Sequence, residues 1–174
     1  MLKNTTFVAL GLLALSLLMI PACDWFKKTD SVGTQESTLR IIDVNTDEVF
    51  NDAHIDGAVH VGVNDLEQAA QKWNKNDTLV VYCSDYNCMA SHNAAKTLSN
   101  LGFTDVAVYS GGINEWYKLS KDNKERYPVV GSAKMEFLEK DVEKVTPQKE
   151  EMKTVSADEL AQHIENMKKK GLAA

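Results

Sequence analysis

Apolar residues in this chain fall into short runs separated by polar stretches with helical spacing. Residues 39–44 (LRIIDV) form a short, largely apolar run of the length expected for a buried strand. Residues 46–53 read as a short helix, with Thr46 as its N-cap and acids in its first turn. Residues 58–61 read as a second strand, after which Asn64 caps a helix running to residue 73. Residues 78–82 (TLVVY) are the most strand-like run, rich in β-branched side chains and bounded by Asn76-Asp77. Apolar positions in 89–101 recur at helical spacing, and Gly102 stands where a helix C-cap belongs. A further strand over 106–109 leads to Gly111-Gly112, which opens a helix carrying Trp116 and Leu119. Strands alternating with helices predict an α/β domain with a largely parallel sheet. Ligands of such sheets bind beyond the C-terminal strand ends, and Cys83 stands at one.

Both ends of the chain break this alternation. Residues 7–20 are apolar apart from Gly11 and Ser16 and follow the single charge of Lys3. That run suits the core of a signal peptide and falls short of the roughly 20 residues of a spanning helix. Residues 24–38 (DWFKKTDSVGTQEST) are polar with little periodicity and read as a flexible tether. Residues 121–150 read as a polar linker, with Val129-Val130 and Met135, Phe137 and Leu138 as apolar patches. In 151–174, Ser156 and Glu159 form a capping box ahead of an apolar stripe at Leu160, Ile164 and Met167.

The chain has 174 residues and a formal net charge of −6, enough for one domain with a real core. Its acidity argues against a nucleic-acid partner, because phosphate binding needs clustered Lys and Arg. No GxxxxGK[ST] or GxGxxG cradle occurs. No Cys/His cluster has metal-ligand spacing, so neither a metal nor an organic cofactor is expected. The three cysteines, Cys23, Cys83 and Cys88, are too few for a disulfide scaffold. Cys83 leaves a buried strand, enters the loop Ser84-Asp85-Tyr86-Asn87-Cys88 and precedes a helix start near Met89. Loop amides and a helix N-terminus lower a thiol pKa, so Cys83 is the candidate nucleophile; a buried structural cysteine is the alternative. Cys88 has two readings, a small residue filling the helix start or a resolving thiol that closes a disulfide with Cys83. Tyr86 reads as a lip of the pocket, and His92 as a solvent-facing helix residue.

Ile20-Pro21-Ala22-Cys23 followed by Asp24 resembles the lipobox of bacterial lipoproteins. The resemblance implies a signal peptide over 1–22, lipid attachment at Cys23 as the mature N-terminus, and a tether over 23–38. The protein would then be membrane-anchored on the extracytoplasmic face, where thiols meet an oxidising environment. Asp24 resembles an inner-membrane retention signal, which implies the periplasmic side of that membrane in a Gram-negative cell.

Three motifs between Leu39 and Leu119 resemble a rhodanese domain, here bounded as 39–120. Phe50-x-x-x-His54-Ile55-Asp56-Gly57-Ala58 is similar to an aromatic-x3-His-Ile-Pro-Gly-Ala signature, with Asp56 replacing Pro. Tyr82-Cys83 opens the loop that is catalytic in that family. Residues 106–116, with Gly111-Gly112 and Trp116, match its closing signature apart from Ser110 and Ile113. The resemblance implies a central, mostly parallel five-stranded sheet with helices on both faces. It implies a sulfurtransferase carrying sulfane sulfur as a persulfide on Cys83 and passing it to a thiol or cyanide, with His54 structural. The loop departs from the family in lacking Gly, Arg and Lys. Its one charge, Asp85, repels a dianion and puts thiosulfate in doubt as donor. Met89 occupies the place of the Arg that phosphatase relatives need, and Asn45 the place of a common Arg. Residues 151–174 resemble the strand and helix that ordinarily precede the first rhodanese strand. They imply a fold-back that completes the domain, a truncated repeat, or a helix packing elsewhere. A dithiol redox protein using Cys83 and Cys88, served by a thioredoxin-like reductant, and a non-catalytic module that binds or senses a partner are the alternatives to sulfur transfer.

Overall fold

The computed structural model describes residues 37–144 and 152–171, so Cys23, the signal-peptide run and most of the tether lie outside the described residues. Along the chain run β1 (Leu39–Asp43), α1 (Asp47–Asp52), β2 (His54–Ile55), β3 (Val59–His60), α2 (Leu66–Ala70) and β4 (Thr78–Tyr82). They are followed by α3 (Ala90–Asn100), β5 (Asp105–Tyr109), α4 (Gly112–Asp122), β6 (Val129–Val130), a 3-10 turn (Glu136–Glu139), β7 (Lys153–Thr154) and α5 (Ala157–Lys170). The main sheet has the order β3-β1-β4-β5-β7, and every pairing in it is parallel.

The β-branched run lies at the sheet's centre because it is covered on both faces, which suits an unbroken apolar strand. Alternate residues point to opposite sides. Ile41, Val80, Tyr82 and Tyr109 pack with Ile113, Trp116, Leu138 and Leu160 on one face. Ile42, Leu79, Val81 and Cys83 pack with Leu66, Ala94, Ala95 and Leu98 on the other. Thr46 caps α1 as expected, accepting from the Val49 amide at 3.4 Å. Helix α2 is shorter than the 64–73 expected. The Lys72 and Trp73 amides reach back three residues, to Ala69 and Ala70, which tightens the chain and ends the α-helix.

Over its described part, the stretch expected as a polar linker (121–150) is packed chain. Tyr127 and Leu138 are buried in the core, and β6 pairs antiparallel with β2 in a two-stranded sheet. Side chains reaching backbone groups hold most of it. Asp52 accepts from the Ser132 hydroxyl at 2.7 Å and the Met135 amide at 2.9 Å. Trp116 Nε1 donates to the Pro128 carbonyl at 3.0 Å, and Asn114 Nδ2 to that of Phe137 at 2.6 Å. Such bonds anchor a segment without apolar periodicity.

The tail folds back onto its own sheet. Strand β7 extends the β5 edge, and the Val155 amide donates to Val108 at 2.9 Å. The Ser156–Glu159 capping box is formed, and α5 buries Ala157, Leu160, Ala161 and Ile164. Lys168 of α5 pairs at 3.1 Å with Asp56, the residue that replaces the usual Pro.

Two predictions follow from this packing. Leu160→Ala leaves a cavity under α5 and is expected to cost about 2–5 kcal/mol, read as a lower urea midpoint. Burial tends to raise the Asp52 carboxyl, but the bonds from Lys134, Ser132 and Met135 outweigh it and hold its pKa below the ordinary aspartate value. A depressed folded pKa stabilises above the unfolded value and loses that contribution as pH falls through the folded one. Asp52→Asn should therefore be less stable than the parent at neutral pH, with the gap closing in acid when melting curves are compared.

Candidate active site

Cys83 is the first residue past β4 and is 1 % exposed. The carbonyls of Cys83 and Ser84 accept from the amides of Ile113 and Asn114, at 3.0 and 2.9 Å. The start of α4 therefore grips the loop's first two peptides. That approach requires Gly112, whose φ is +59°. A Cβ there would stand 2.5 Å from the Cys83 oxygen and 2.6 Å from the Ser84 carbonyl carbon.

The loop is folded by its own acid. Asp85 accepts the Asn87 amide at 2.8 Å through its carboxylate, and its carbonyl accepts the Cys88 amide at 3.1 Å. This turn brings Cys88 back over Cys83, and the two are joined as a disulfide with Cα atoms 6.3 Å apart. The sulfur of Cys83 also lies 3.2 Å from the Ser91 hydroxyl, which is buried in the first turn of α3. Bonded to Cys88, that sulfur carries no hydrogen, so the Ser91 hydroxyl is the donor. Sequence reasoning missed Ser91; its signal is a serine on the apolar face formed by Ala94, Ala95 and Leu98.

A cation reaches the loop from outside it. Lys144 stands 5.8 Å from the centre of the half-buried Tyr86 ring, but pairs at 2.7 Å with Glu115. Glu115 also accepts the Tyr109 hydroxyl at 2.9 Å. Burial and the Glu115 carboxylate together push the Tyr86 phenol up. Glu115, read only as part of the closing signature, is thus the centre of a polar cluster flanking the loop. Ser84 and Cys88 are half-buried, Asn87 is exposed, and Met89 is exposed at the start of α3.

The two histidines named from the sequence have other partners. His92 turns to Ser110 at 3.4 Å, and His54 to the Phe50 carbonyl at 2.8 Å. Asp43 is fully buried, and burial pushes its carboxyl up. One of its oxygens accepts the Asn45 amide at 2.8 Å; its other oxygen and the Asn45 Nδ2 have no hydrogen-bond partner among the described residues. Among the described residues no helix is long and apolar enough to cross a membrane.

The pattern of the family described as "Rhodanese-like domain" matches residues 24–119. The chain is 33% identical over 85 residues to the thiosulfate sulfurtransferase GlpE of Shewanella oneidensis, covering 49% of this chain and 82% of that protein. It is 32% identical over 90 residues to the putative sulfur carrier protein YrkF of Bacillus subtilis, covering 52% of this chain and 45% of that one. Among solved structures, a rhodanese with anions from E. coli is 27% identical, with a TM-score of 0.42 over 54% of this chain and 99% of that one.

Gly112→Ala tests the grip on the loop. It is expected to destabilise by about 1–3 kcal/mol and to change the alkylation rate of reduced Cys83. Gly102→Ala is the control for backbone strain, because Gly102 has φ +90° but, among the described residues, nothing within 4 Å of its Cβ position. It should leave the Cys83 rate unchanged.

Proposed function

We propose that this chain, which belongs to the rhodanese-like domain family, is a sulfurtransferase that carries sulfane sulfur as a persulfide on Cys83. The observation that carries the reading is the placement of Cys83. Its sulfur ends the central strand beside the Ser91 hydroxyl, in a loop pinned by the first amides of α4. A Cys83 thiolate attacks the outer sulfur of a donor, the donor's remaining thiolate or sulfite leaves, and Cys83 holds the persulfide. A thiol or cyanide then attacks the outer sulfur and returns the thiolate. The Ser91 hydroxyl stabilises the anion at the start and end of this cycle.

Charge argues for the class of donor. Asp85 lies within the loop, and Lys144 is already paired with Glu115. A dianion such as thiosulfate meets repulsion that a persulfide or polysulfide feels less. The relatives named as a thiosulfate sulfurtransferase and a putative sulfur carrier support sulfur transfer as the chemistry. The Ile20-Pro21-Ala22-Cys23 motif supports an extracytoplasmic location, with the domain held to a membrane through lipid on Cys23. The disulfide favours a second reading, a dithiol redox protein that uses Cys83 and Cys88 and a thioredoxin-like reductant.

The test uses the reduced full chain in detergent, offered thiosulfate, glutathione persulfide and inorganic polysulfide separately, with intact mass as the readout. Sulfur gain or sulfide release that disappears in Cys83→Ser is expected, with thiosulfate the poorest donor. A Cys83→Ser protein that still takes up and releases sulfur would overturn the assignment.

A further inference from the structure

We infer that Cys88 resolves the Cys83 persulfide, so that the protein reduces sulfane sulfur to sulfide at the expense of a dithiol. The inference rests on the persulfide reading above. Its ground is the disulfide itself, which shows that the Cys88 sulfur reaches the inner sulfur of Cys83 within the folded loop. Nothing needs to unwind, since the Asp85 turn and the amides of Ile113 and Asn114 already hold both ends of the loop.

Access favours Cys88 over an outside thiol. Cys83 is 1 % exposed, so an external acceptor must enter past the loop, whereas Cys88 is half-buried and stands beside it. An intramolecular thiol also has a high effective concentration, which proximity alone can raise by many orders of magnitude.

With Cys83 as a persulfide, the Cys88 thiolate attacks the Cys83 sulfur bonded to Cβ. The sulfur–sulfur bond to the outer atom breaks, and that atom leaves with the electron pair as hydrosulfide. The Cys83–Cys88 disulfide remains. The transferred sulfur has gained two electrons, and the two cysteine sulfurs have lost them. A dithiol then attacks the more exposed Cys88 sulfur, forms a mixed disulfide, and leaves oxidised as its own disulfide, returning both cysteines to thiols. The sum is one persulfide and one dithiol giving one thiol, one sulfide and one disulfide.

The reduced full chain, desalted without oxygen, is loaded with glutathione persulfide, desalted again, and followed by sulfide assay and intact mass. The wild type is expected to release about one sulfide per chain and to lose two hydrogens, with no retained sulfur. Dithiothreitol should restore the dithiol. Cys88→Ser and Cys88→Ala should retain the extra sulfur on Cys83 and release sulfide roughly a hundredfold more slowly until a thiol is added. A wild type that keeps its persulfide as long as either variant overturns the inference and leaves the persulfide carrier standing. If none of the folded proteins takes up sulfur or releases sulfide, the carrier reading fails as well. Should one Cys88 variant fail to fold, the other and the wild-type mass decide.

Discussion

Two hydrogen bonds join the chemistry of this protein to its fold. The carbonyls of Cys83 and Ser84, at the end of the central strand, are gripped by the first amides of α4. The strand end and the helix start are some thirty residues apart in the chain, yet each completes the other. The helix would otherwise begin with unsatisfied donors, and the loop would leave the sheet with unsatisfied acceptors. Only a glycine at 112 lets the two backbones approach so closely. From this join the Asp85 turn proceeds, and Cys88 is carried back over Cys83.

The join in turn depends on α4 being held against the sheet, and much of that work falls to the chain after it. Trp116 is buried between Tyr109 and Tyr127, and its indole N–H ends on the Pro128 carbonyl. Asn114, beside the join, donates to Phe137 and Lys140. The segment 123–140 thus braces the helix that grips the loop, and α5, later in the chain, covers the same core. The Asp56–Lys168 pair lies where α5 meets the turn after β2, partly exposed, and contributes more to orientation than to stability.

The electrostatics around the sulfur come from different parts of the chain. Asp85 is local and shapes the loop. Glu115 and Lys144 arrive from α4 and from the chain beyond it, and largely cancel each other beside Tyr86. The buried Asp43 and its neighbour Asn45 retain polar atoms without partners among the described residues. Around the sulfur the loop itself contributes an acid, Asp85, and no cation, and Lys144 beside it is paired with Glu115.

Much of this architecture was legible in one sequence. The strands at 39–43, 78–82 and 105–109, the caps at Thr46 and Ser156, and the position of Cys83 at a strand end follow from local rules. β-branching, periodicity and capping act within a few residues, and a single chain displays them. The packing of 121–144 was not legible, because it is held by Asp52, Asn114 and Trp116 reaching backbone groups far along the chain. Nor were the Ser91 hydroxyl against the sulfur, the Glu115–Lys144 cluster, or the edge on which β7 pairs. By itself the sequence determined the long strands β1, β4 and β5, the helices beside them and which cysteine ends the central strand, but not β2 or β6. Only the tertiary structure decided what surrounds that cysteine, because contacts between distant residues depend on how the elements pack, and local pattern carries no record of that.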